Sequence, residues 1–109
     1  MCQSCHSVMP FKLKDGSWYF EAVQFVPGRK RDHKANALAM CPLCAAKYRY
    51  ARDTMDAALI DGLLEIVVSA GEGAVEFPVL ISGERTSLRF TGKHAIDLQA
   101  ALRVAGEER

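Results

Sequence analysis

Apolar and polar positions interleave most regularly near the middle of the second half, where Val75, Phe77, Val79 and Ile81 alternate with Glu76, Pro78, Leu80 and Ser82. A period of two sends the two sets to opposite faces, so this stretch predicts a strand with one buried face. Ser82-Gly83-Glu84-Arg85 then turns the chain into a second strand, Thr86 to Phe90. Pro78 cannot donate to a ladder, which predicts an edge position or a bulge there. Thr91 is placed to cap a closing helix over about 93–105, with Ala95, Leu98, Ala101, Leu102 and Ala105 on one apolar face and Ile96 and Val104 outside it.

The first half reads differently. Asp15-Gly16 lies between Phe11-Lys12-Leu13-Lys14 and the run Trp18 to Val23, a turn signal between strand-forming residues that predicts a hairpin of 11–14 and 18–24. Leu13, Trp18 and Phe20 would share its inner face. Pro27-Gly28 breaks the second strand, and Arg29 to Lys34 form a basic loop. Pro42 suits the first turn of a helix. From there Cys44, Tyr48, Ala51, Met55, Ala58 and Leu59 recur at helical spacing, with Arg49, Asp53 and Asp56 opposite. That helix should run to Asp61 and stop at Gly62. Leu63 to Ser69 reads as a strand from its β-branched residues, or as more helix from the spacing of Met55, Leu59, Leu63 and Ile66.

The expectation is one α+β domain, residues 1–61 forming a finger and 62–109 a small antiparallel β-unit with a C-terminal helix. At 109 residues its core is small enough for a metal to matter to folding. The four cysteines supply that possibility: Cys2-Gln3-Ser4-Cys5 and Cys41-Pro42-Leu43-Cys44 are two Cys-x-x-Cys pairs. A two-residue gap lets both sulfurs of a tight turn face one ion, and four thiolates close a tetrahedral Zn²⁺ site. The predicted ligands of one structural zinc are therefore Cys2, Cys5, Cys41 and Cys44.

Two disulfides are the alternative. The start of the chain lacks a charged segment leading into an apolar one, which favours a reduced, cytoplasmic protein. Redox chemistry at Cys41-Pro42-Leu43-Cys44 is a third reading, but a charged loop precedes the motif where a redox fold has a buried strand. His6 follows Cys5 and is either a neighbour of the site or a substitute ligand. Half of the residues are hydrophobic, a quarter are charged, and the net charge is +1. That is an ordinary globular balance with no overall attraction to nucleic acid. No apolar run approaches the ~20 residues of a membrane span. Because the first ligand is residue 2, the chain also reads as a module of a larger protein.

Tyr19-Phe20-Glu21-Ala22-Val23-Gln24-Phe25-Val26-Pro27 followed by Asn36-Ala37-Leu38-Ala39-Met40-Cys41-Pro42-Leu43-Cys44-Ala45 resembles the HNH endonucleases whose zinc site is built from four cysteines. The likeness covers about residues 1–52: both Cys-x-x-Cys knuckles, the Glu-Ala pair, the Pro and the Asn fall in register. It implies a treble-clef zinc finger. It also shows what is missing. Val23 and Gln24 stand where that family has its paired histidines, the second of them the general base. Ala45 stands at a metal-binding histidine, and Arg49 near the last one. A Gln takes no proton at neutral pH and an Ala holds no divalent ion, so the resemblance implies a degenerate finger without the nuclease chemistry.

Such ancestry implies a surface that approaches phosphates. Arg29, Lys30, Arg31, Lys34, Lys47, Arg49 and Arg52 are the candidate contacts, to DNA or another nucleic acid. A solvated basic loop with no partner is the plainer reading of the same residues. Two further classes stay open. One is an active nuclease with a rearranged site, using His33 or His94 as base and Glu21 for metal. The other is a purely structural scaffold for a larger chain or a homodimer.

Overall fold

The computed structural model describes residues 1–26, 34–68, 71 and 73–107, with side chains as far as Arg103. Among these residues the chain forms two antiparallel two-stranded sheets and three helices, an α+β architecture. Strand β1 (Glu21–Gln24) pairs with β2 (Ala37–Met40), Val23 opposite Leu38, and a short 3-10 turn at Lys34–Asn36 leads into β2. Helices α1 (Pro42–Tyr50) and α2 (Asp56–Glu65) follow. Strands β3 (Val75–Ile81) and β4 (Glu84–Phe90) make the second sheet, and α3 (Gly92–Glu107) closes the chain.

The second half follows its pattern closely. Val75, Phe77, Val79 and Ile81 are buried and the residues between them exposed. Ser82 and Gly83 both take positive φ, 52° and 76°, as a two-residue hairpin turn of this hand requires. Thr91 caps α3: its hydroxyl accepts from the His94 N–H at 3.1 Å. Pro78 breaks nothing, because Leu80, two residues on, turns its N–H and C=O outward to Thr54 and Asp53. Pro78 shares that direction, so the N–H it lacks belongs to the outer edge and not to the ladder with β4.

The first half departs from expectation. The Asp15-Gly16 turn is present, but the hairpin around it is held by the single bridge of Lys12 to Trp18 with Tyr19 N–H donating to Phe11 O. The regular partner of β1 is β2, not residues 11–14. Leu13, Trp18 and Phe20 consequently face solvent and share no buried face with the knuckles. The helix expected over 42–61 breaks at 51–55. There Ser82 N–H donates to Ala51 O, Asp53 and Thr54 N–H to Leu80 O, and Gly83 N–H to the Asp53 carboxylate. These residues serve as a short edge for β3, and their exchange of helical bonds for sheet bonds is the physical cause of the break.

Helix α2 passes through Gly62 and ends at Glu65, so Gly62 is no stop, and Leu63 belongs to the helix while Ile66 to Val68 are extended. Gly62 is there for clearance: a Cβ on it would lie 3.0 Å from the Phe77 ring. The end of α2 is capped from afar, Gln99 Nε2 donating to the carbonyls of Leu63 and Ile66 at 2.8 Å each. Met55, read as part of the apolar face, is exposed.

One hydrophobic cluster draws on both halves. At its centre Phe25, just past β1, meets Phe77 and Phe90 edge-on, with ring centroids 5.9 and 6.1 Å apart. Tyr48 of α1 reaches the same place and donates its hydroxyl to Phe25 O at 2.6 Å. Burial pushes the Tyr48 phenol pKa up, against the pull of the Arg52 charge.

Candidate metal centre

The first knuckle is a tight turn, residues 2 to 6, in which His6 N–H donates to Cys2 O. The backbone N–H of Ser4 points at Cys2 Sγ, 3.4 Å away. His6 takes a positive φ of 63° to leave the turn, and its ring is directed away from the cysteines, Nε2 donating to Ser87 O of β4 at 2.9 Å. The second knuckle straddles the start of α1: Cys41 is its N-terminal flank, Pro42 its first residue, and Ala45 N–H donates to Cys41 O.

Gln3 brings the two knuckles together. Its backbone N–H donates to Ala39 O, its Oε1 accepts from Ala39 N–H, and its Nε2 donates to Arg89 O, while Arg89 N–H donates to Gln3 O. One residue between two cysteines thereby ties the turn to β2 on one side and β4 on the other. The sequence offers no mark of this beyond a carboxamide in the gap of a Cys-x-x-Cys pair.

All four sulfurs lie within 4.8 Å of one another, with Cys5 and Cys41 4.0 Å apart. A tetrahedron of thiolates at the Zn–S distance of ~2.3 Å places its sulfurs ~3.8 Å apart, so the cluster fits one metal ion. All four cysteines are free, and a disulfide would need sulfurs ~2.05 Å apart. Cys2 and Cys44 are buried and Cys5 is exposed, so the cluster has a closed side and an open side. Burial, the Cys41 thiol and the nearby charge of Cys2 push the Cys44 thiol up, and burial likewise raises Cys41. At Cys5 burial acts in the same sense, but hydrogen bonds from Ser7, Cys2 and Cys44 together outweigh it and bring the thiol down to about 7. The site thus holds one thiol whose pKa is lowered and two whose pKa is raised.

The residues that the sequence resemblance sets against catalytic histidines lie elsewhere. Gln24, Arg49 and Arg52 line an open cleft of about 440 Å³ together with Ala22, Val23, Tyr48 and Tyr50. Ala45 is fully buried. Arg49 pairs with Glu21 at 2.8 Å. Arg52 is drawn into the fold, its side chain only 12 % exposed, donating to Asp56 and Thr54 O and lying over the Tyr48 ring. Its Nε is buried with no acceptor. Asn36 is buried and bonds both backbone groups of Val26 with its carboxamide. Lys47 is exposed on α1, and Lys34 lines a different cleft, beside Lys93 and His94. His94 donates to Ala35 O at 2.8 Å and packs edge-on against Phe90. Arg29, Lys30, Arg31 and His33 lie outside the described residues.

Among the described residues no helix is long and apolar enough to cross a membrane. Comparison with family models, curated proteins and solved structures finds no match to this chain.

Proposed function

We propose that the chain is a zinc-binding module of degenerate HNH type that contacts nucleic acid through its phosphates and does not cleave it. The observation that carries the reading is the convergence of four thiols from two knuckles separated by the β1–β2 pair and ending in α1. The expected order is knuckle, hairpin, loop, knuckle, helix; with the β1–β2 pair in place of the 11–24 hairpin, the observed order supports a treble-clef reading. Zinc is the ion this donor set suits best, four soft thiolates in a tetrahedron, and its part is to hold the fold. The absence of hydrolysis follows from the residues in the cleft at the junction of β1 and α1. Gln24 cannot serve as a base, and Arg49, already bonded to Glu21, repels a divalent ion.

A second reading, a purely structural scaffold for a parent protein or a second copy, is favoured by the engagement of Arg49 and Arg52 within the fold, since paired cations have less to offer a phosphate. Elemental analysis of purified protein, followed by titration with duplex DNA at low and moderate salt, separates the two. One zinc per chain with salt-sensitive binding is the expected result. Zinc without binding favours the scaffold. Nicking of plasmid with Mg²⁺ or Mn²⁺ that is lost on His33→Ala would establish a rearranged nuclease, and metal-free protein with its cysteines oxidised in pairs would overturn the reading at its base.

A further inference from the structure

The 11–20 hairpin stands off the core with its large side chains in solvent: Phe11 is 49 % exposed, Leu13 45 %, Trp18 47 % and Phe20 52 %. Surfaces of this kind on soluble proteins mark binding sites. Three features identify the partner. The exposed groups are mostly flat rings, not aliphatic chains. They are organised, since Phe11 and Tyr19 stack at 4.9 Å and 9° across the hairpin, and Lys12 lies 4.9 Å over the indole of Trp18 on the other face. Cations alternate with them: Lys12 and Lys14 extend from the same arm, and the hairpin's one carboxylate, Asp15, accepts from the N–H and hydroxyl of Ser17 in the turn.

We propose that this hairpin binds single-stranded nucleic acid, with unpaired bases stacking on Trp18 and Phe20 while Lys12 and Lys14 meet the phosphates. Rings with ammonium groups between them match the two repeating parts of a single strand, a π-face and an anion, at little cost in sequence preference. A duplex presents its phosphates but keeps its base faces covered, so it can use the lysines and not the rings. The inference rests on the nucleic-acid reading above and narrows it to a substrate class and a place.

Trp18 is the only tryptophan, so its emission reports on the site directly. Zinc-loaded protein is titrated with an oligothymidylate of about 12 nucleotides and with a duplex of equal length, following both Trp18 fluorescence and the anisotropy of a labelled strand. Quenching of Trp18 by the single strand, with tighter binding than the duplex, is expected. Trp18→Leu should weaken single-strand binding roughly 5- to 150-fold, the effect of one lost base stack, with Trp18→Phe retaining most of the affinity. Unchanged zinc content and circular dichroism show that both variants fold. Binding to either oligonucleotide without quenching, or unaffected by Trp18→Leu, sinks the hairpin assignment and leaves the phosphate-binding reading standing. No binding to either at low salt removes both. A Trp18 emission change that depends on protein concentration alone assigns the surface to self-association and overturns the proposal.

Discussion

Gln3 and Ala39 are joined by two hydrogen bonds, one from the Gln3 backbone to the Ala39 carbonyl and one from the Ala39 backbone to the Gln3 side chain, at 2.9 and 2.8 Å. The pair fixes the spacing of the first knuckle from β2, whose end delivers Cys41. Gln3→Ala keeps every sulfur but leaves Ala39 N–H without its acceptor and Arg89 O without a donor. Removing such a support should weaken zinc binding roughly 10- to 100-fold, read by competition with a chromophoric chelator. Gln3→Glu, which retains an acceptor for Ala39, should lose less. An unchanged affinity in Gln3→Ala would show that the knuckles find their geometry from the ion alone.

Zinc affinity should fall steeply as the pH is lowered. Cys41 and Cys44 are raised above the ordinary thiol value, so both are protonated in metal-free protein at pH 7 and must give up protons to bind. Affinity therefore rises with pH across the neutral range, by roughly two decades per unit for two released protons. Titrations in buffers of different ionisation enthalpy measure the protons released. A pH-independent affinity would mean that the thiols are not the ligands. Chelation at pH 7 should unfold the knuckles.

Tyr48→Phe removes the hydroxyl that donates to Phe25 O and should cost about 1–2 kcal/mol, the loss of one buried hydrogen bond. It should also change the alkaline limb. The phenol pKa is raised in the folded chain, so the unfolded chain ionises first, near pH 10, and stability present below that value is lost as pH rises. Denaturant midpoints of wild type should fall above pH 10 more steeply than those of the variant.

Gly62→Ala sets two effects against each other. Alanine gains about 1 kcal/mol of helix propensity, but its Cβ would meet the Phe77 ring at 3.0 Å, and that ring is itself held against Phe25. Overpacking of about 1–3 kcal/mol should win. In a Phe77→Leu background the contact is gone, and the same substitution should become neutral or stabilising. If the sign does not reverse, Gly62 serves something other than clearance.

The readable parts of the sequence were those set by neighbours in the chain. The cysteine pairs, the alternation of Val75 to Ile81, the Ser82-Gly83 turn and the Thr91 cap all act within a few residues. The errors arose where a distant element competed. Asp15-Gly16 makes the turn it promises, but β1 leaves that hairpin to pair with β2, because Val23, Leu38 and Met40 gain burial there that Leu13 and Phe20 could not give. Nothing in Ala51-Arg52-Asp53-Thr54 marks a helix break, since the backbone groups that recruit it belong to Leu80 and Ser82. Gln3 and Gln99, which position a knuckle and end a helix, look like ordinary polar residues until their partners come near.

Of the three β3 residues whose backbone faces away from β4, Leu80 is bonded to Thr54 and Asp53, Pro78 has no N–H, and Glu76 carries a charge. On the far side of β4, the first knuckle bonds Arg89 and Ser87. A two-stranded sheet has nothing but edges, and each is closed here by a different device. Another molecule's strand finds no continuous row of donors and acceptors to extend, so the sheet that completes the core is also protected against growing into an aggregate.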